Sequence, residues 1–204
     1  MRIVLFLFFV GLQWTVSYPA SAADAEGRFA VRGAGMMECR VFVEEKRQNT
    51  PKLNLYLGWI DGYVSAANQF SPDTFDRVPW GNTVYLATLV ESYCKKHPGD
   101  RFYVAVGRLL ENLAKQRLRT SSELVVAEHD GHRTHLYRSV LKAVQARLKE
   151  AGHYQGEPDG TYGPATRDAL LAFQKEVGAR QTGLPDQLTL YLIDRKLGKL
   201  IPLP

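Results

Sequence analysis

Three of the five histidines fall within Glu128-His129-Asp130-Gly131-His132-Arg133-Thr134-His135, beside two carboxylates. Imidazole and carboxylate are suitable zinc ligands, and His129 and His132 would share one face of a helix. Gly131 argues for a loop instead, and the stretch lacks the H-E-x-x-H pattern of a zinc hydrolase. No metal is assigned. Ser139-Val140-Leu141-Lys142 fits the S-x-x-K nucleophile pattern, but neither S-D-N nor K-T-G occurs anywhere in the chain. Glycoside hydrolysis requires a pair of carboxylates flanking one bond. Asp61, Asp73, Asp76 and Glu91 are scattered instead, and Asp61 sits within a glycine-rich helical pattern. We assign no catalytic residue and no cofactor.

The remaining reactive side chains are Cys39 and Cys94, the only cysteines. Their setting follows from the amino terminus. Met1 and Arg2 precede the apolar run Ile3 to Leu12, and Ala20-Ser21-Ala22 supplies small residues at a cleavage site. This layout is that of a secretory signal peptide over residues 1–22, with a mature start at Ala23. The apolar run is too short to span a bilayer core of about 30 Å, so no transmembrane anchor is expected in the mature chain. An even pair of cysteines in an exported protein reads as one disulfide, which removes Cys94 as a free nucleophile. The formal charge of +5 suits contact with an anionic surface. There is no Lys/Arg run interleaved with aromatics, so nucleic acid is excluded as a partner.

Residues 23–115 read as a disulfide-tied helical domain. The pattern predicts helices over Met36–Glu45, Leu53–Phe70 and Thr83–Lys96, and a last one after His97-Pro98-Gly99-Asp100, with Asp100 as its cap. Tyr56, Ile60, Tyr63, Ala67 and Phe70 mark the buried face of the second helix. Gly58, Gly62 and Ala66 form another stripe on it. Glycine is unfavourable inside a helix, so this stripe predicts close packing against a neighbouring helix. Residues 116–135, rich in charge, Ser and Thr, read as a linker, although Leu124, Val125 and Val126 could dock as a short element.

In residues 136–196, Val140, Val144 and Leu148 recur every fourth residue, and Arg138, Lys142, Gln145 and Lys149 fall off that face. Gly152 stands where a left-handed helix stop is expected. Pro164 suits the first position of the next helix, on which Leu170, Phe173 and Val177 share a face. Leu188, Leu192 and Ile193 mark a short third helix. Ahead of Pro164 lies Asp159-Gly160-Thr161-Tyr162-Gly163, a tight turn whose carboxylate can accept local N–H groups.

That arrangement closely resembles the small three-helix peptidoglycan-binding domain appended to many bacterial cell-wall enzymes. The resemblance is carried by Val144, Gln145, Leu148, Gly152, Asp159, Gly160, Tyr162, Gly163, Thr166, Ala169, Phe173, Gln174, Gly183 and Thr189. It implies attachment to peptidoglycan, with Asp159, Gly160, Tyr162, Gly163, Thr166 and Gln174 as candidate ligand-binding residues. The first half resembles a family of small exported helical proteins that includes immunity proteins against type VI secretion toxins and, more distantly, acid-stress periplasmic chaperones. Cys39, Trp59-Ile60-Asp61-Gly62-Tyr63, Ala66, Ala67 and Lys96-His97-Pro98-Gly99 carry that likeness. It implies a helical fold and a tendency to bind another exported protein, such as a toxin or a wall enzyme. The expectation is an all-α, periplasmic, wall-associated, non-enzymatic protein.

Overall fold

The computed structural model describes residues 23–200; the expected signal peptide lies outside them. Residues 23–31 belong to a unit of their own, in which Asp24 accepts hydrogen bonds from the N–H groups of Glu26 and Arg28. The rest of the chain is a second unit. It contains α1 (Cys39–Gln48), α2 (Leu53–Phe70), α3 (Thr83–Cys94), α4 (Phe102–Leu113), β1 (Leu124–His129), β2 (His132–Tyr137), α5 (Arg138–Glu150), α6 (Pro164–Glu176) and α7 (Gln187–Lys196). The fold is mostly helical, but the two strands make it more than the all-α protein expected. Among the described residues no helix is long and apolar enough to cross a membrane.

Helices α1 to α4 enclose a core built on aromatic contact. The rings of Phe42, Tyr56 and Phe102 lie 4.7 to 5.3 Å apart, a spacing at which tilted and edge-on pairs attract. Cys39 and Cys94 form the expected disulfide, and both are fully buried in this core. The first N–H groups of a helix lack intrahelical partners. In α1 they are satisfied by the turn after α3, Cys39 N–H donating to Asp100 O and Arg40 N–H to Pro98 O. The same contacts bring α1 to the end of α3, where the disulfide closes. Asp100 does not cap α4; its carboxylate accepts from the Tyr93 hydroxyl at 2.6 Å.

Two expectations for α2 are corrected. Gly58, Gly62 and Ala66 are exposed, and a Cβ at either glycine would meet nothing within 4 Å. The stripe faces outward, because the four-residue repeat that buries Tyr56, Ile60 and Val64 turns a parallel row of small residues to solvent. Phe70, placed at the buried face by spacing, is 74% exposed. It ends the helix, beyond the reach of the helices that cover α2.

Residues 116–135, expected as a linker, contain backbone pairing. Leu118 exchanges hydrogen bonds with Asp76 of the α2–α3 loop, and β1 and β2 form an antiparallel hairpin with His129 opposite His132. Asp130 and Gly131 at its tip both have positive φ, the conformation of the two-residue turn whose twist suits a hairpin. Ala127 and Leu136 point from the hairpin into the core of α5, α6 and α7. On the other side Tyr137 donates to Asp76 at 3.1 Å and meets Phe75 edge-on. The hairpin thus joins the helical half to the C-terminal module.

Candidate functional site

The C-terminal module is organised by two buried glutamines. Gln145 was placed off the apolar face of α5, yet it is 0% exposed. Its Oε1 accepts the Gly160 N–H at 2.7 Å. Its two Nε2 hydrogens lie among Thr161 O and Thr166 Oγ1 at 3.0 Å, with Asp159 Oδ1 slightly farther. Gln174 of α6 repeats this geometry. Its Oε1 accepts the Gly183 N–H at 2.9 Å, and its two Nε2 hydrogens lie among Thr189 Oγ1, Thr182 Oγ1 and Leu184 O. In both cases the amide grips a glycine of positive φ and a threonine six residues later. A primary amide suits the task because it accepts and donates along one edge, and a fully paired buried amide avoids the cost of orphaned polar groups.

Both glycines are required by this geometry. Gly160 has φ +76, and a Cβ there would lie 2.5 Å from the Arg138 carbonyl oxygen. Gly183 has φ +65, and its Cβ would press on Arg167 and on the His129 ring of the hairpin. Tyr162 ties the two loops together by donating its hydroxyl to Gly183 O at 2.7 Å. Gly163 is the residue before α6 and Pro164 opens that helix. In α7, Asp186 caps through the Thr189 N–H; Leu190 and Ile193 are buried, whereas Leu188 is exposed.

The candidate residues therefore separate into two groups. Gly160, Thr166 and Gln174 are buried, with their polar groups engaged inside the module. Asp159 is exposed, Tyr162 and Gly163 are half-buried, and all three rim the first loop. Asp159 Oδ1 accepts the Thr161 N–H at 2.7 Å, which, with the Gln145 amide, holds its carboxyl below the usual range. Arg138 reaches Thr161 Oγ1 and pairs with Glu123. This cation beside the loop is missing from the sequence-derived set; its position next to strand β2 becomes apparent only with the hairpin in place. His129, His132 and His135 lie along the hairpin, and among the described residues no group of three or more His, Cys, Asp or Glu is placed to hold a metal ion.

Residues 138–193 match the family model described as "Putative peptidoglycan binding domain". The match takes in α5, α6, most of α7 and both glutamine-held loops, so the similarity to the peptidoglycan-binding family is carried by the C-terminal module. The chain is also similar to N-acetylmuramoyl-L-alanine amidase CwlM of Mycobacterium tuberculosis (strain ATCC 25618 / H37Rv), being 35% identical over 65 residues, 30% of this chain and 16% of that protein. The shared part is thus a small fraction of the amidase. No solved structure matches the chain.

Proposed function

We propose that this is an exported, periplasmic protein without enzymatic activity, held on peptidoglycan by its C-terminal module and presenting its helical half to another exported protein. The observation that carries the reading is the family match over both glutamine-held loops. The exposed rim of the first loop, Asp159 and Thr161 beside Arg138, is the surface a wall ligand meets. Co-sedimentation with purified insoluble sacculi across a salt series tests it. The full chain pellets, and Asp159→Asn, which keeps the oxygen that orders the turn, pellets several-fold less. A full chain that stays in the supernatant at every salt concentration sinks the reading. Zymography on wall material should show no clearing.

A second reading, an immunity protein or inhibitor of a secreted toxin or wall hydrolase, is favoured by a groove on the helical half. It measures about 460 Å³ and is lined by Met37, Val41, Leu55, Tyr56 and Trp59. Leu55 is 67% exposed there, and such an apolar surface on a soluble helix marks a contact site. Loss of a co-purifying hydrolase's activity on addition of this protein, restored by Leu55→Asp, would favour this role.

A further inference from the structure

A cleft of about 280 Å³ lies where the α2–α3 loop, strand β2 and the start of α7 meet. It is built largely from residues outside the matched family segment: Trp80 and Asn82 come from the helical half, and His135 and Leu136 from the hairpin. Its base is apolar. Leu136, Leu190 and Pro185 are buried, and Trp80 packs half-buried against the same core. Its edge is polar, with Asn82 and His135 exposed.

The amides at this edge have unused donors. Asn82 Oδ1 caps α3 by accepting the Tyr85 N–H, which orients the side chain and leaves Nδ2 as the free end. Gln187 Oε1 accepts the Asn82 N–H at 2.8 Å. That contact identifies the oxygen, and Gln187 Nε2 is then buried without a hydrogen-bond partner among the described residues. A buried donor in that condition is unfavourable, and a carbonyl oxygen arriving in the cleft supplies the acceptor.

Charge narrows the ligand. Among the described residues no Lys or Arg lines the cleft, and the one carboxylate there, Asp76, already accepts from Tyr137. Free carboxylates of a stem peptide find repulsion there and no cation. A neutral ring with an apolar face and an acetamido group fits better: the ring lies on the indole, and the acetamido carbonyl meets the amide donors. The volume is near the low end of the ~300–1,000 Å³ typical of small-ligand sites, which suits one sugar ring.

We propose that this cleft is a saccharide subsite taking one N-acetylated hexosamine of a wall glycan, an inference that rests on the peptidoglycan-binding reading above. The test is calorimetric titration of the full chain with a soluble N-acetylglucosamine trimer and, separately, with an acidic stem tripeptide. The trimer binds; Trp80→Ala weakens it roughly tenfold. Asn82→Asp, which keeps the capping oxygen and hence α3, weakens it severalfold. If the trimer does not bind, or binds all three proteins equally, the cleft is not a saccharide site, even where sacculi still pellet the protein. Trimer binding lost in both variants supports the cleft even where sacculi do not pellet, an outcome that overturns only the anchoring reading. Tripeptide binding that Trp80→Ala abolishes overturns the saccharide assignment.

Discussion

The two halves of this protein solve the same problem by different means. Each is too small to rely on a large apolar core. The helical half closes α1 onto α3 with a disulfide and fills the space with Phe42, Tyr56 and Phe102. The C-terminal module has no cysteine and instead buries two glutamines, each fully paired with a loop. A covalent tie acts mainly on the unfolded chain and dictates little about local conformation. A buried amide does the reverse: it contributes modest net stability but penalises every loop conformation that leaves it unpaired. The module's loops are therefore held in shape from beneath, while their rim remains open to a ligand.

The largest expected effect is on the helical half. Replacing Cys39 and Cys94 together by Ala releases a loop of 55 residues and should cost about 4 kcal/mol in denaturant titration. Amide exchange in α5 and α6 should change far less than in α1 and α3; equal loss in both halves would erase the contrast. Next is Gln174→Leu, which keeps volume but orphans the Gly183 N–H and the Thr189 hydroxyl. A loss of about 3 kcal/mol is expected, insensitive to reductant. A cost below about 1 kcal/mol would mean that water replaces the amide.

Glycine substitutions sharpen the point within the module. Gly160→Ala meets the Arg138 backbone, whereas Gly152→Ala, with similar φ, meets nothing within 4 Å. The second should cost about 1 kcal/mol from conformation alone and the first about 2–3 kcal/mol, compared by thermal melting. At the junction, Tyr137→Phe should cost about 1 kcal/mol through its lost bond to Asp76. Burial, followed by the Asp76 charge, pushes the Tyr137 hydroxyl up to about 12. A group whose folded value is raised stabilises below its unfolded value, near 10, and that contribution fades as pH rises from about 10 towards 12. Tyr137→Phe should abolish this alkaline decline.

The smallest effect is at Glu91, whose carboxyl is held down by hydrogen bonds from Lys46 and then Lys95. Its stabilisation is present above the unfolded value near 4.3 and is lost as pH falls below it. Glu91→Gln should flatten the acid limb of the helical half alone, measured by exchange in α1 and α3.

Much of this architecture is legible without coordinates. Helical periodicity placed α2, α3, α5 and α6, because burial repeats at the helix pitch. Two cysteines leave one intramolecular pairing, and Asp159-Gly160 with Pro164 marks a turn followed by a helix start. The hairpin was within reach too: Asp130-Gly131 is a hairpin dipeptide, but the surrounding charges made Glu128 to His135 read as solvated linker.

Other features depend on non-local contact. Gln145 looks like a surface residue of α5 until a loop fifteen residues away folds over it, because a polar side chain is buried only where partners from elsewhere satisfy it. Gly58 and Gly62 look like a packing stripe until the neighbours settle on the opposite face of α2. The meeting of Trp80, His135 and Gln187 has no trace in local pattern at all, since three distant segments converge only when Tyr137 and Leu118 dock the halves through Asp76. Sequence alone determined which segments form helices, which cysteines pair and where the first loop turns, since these follow from local propensity and from the count of partners. Tertiary structure decided which polar groups are buried and which clefts exist, since burial is a property of the whole packed chain.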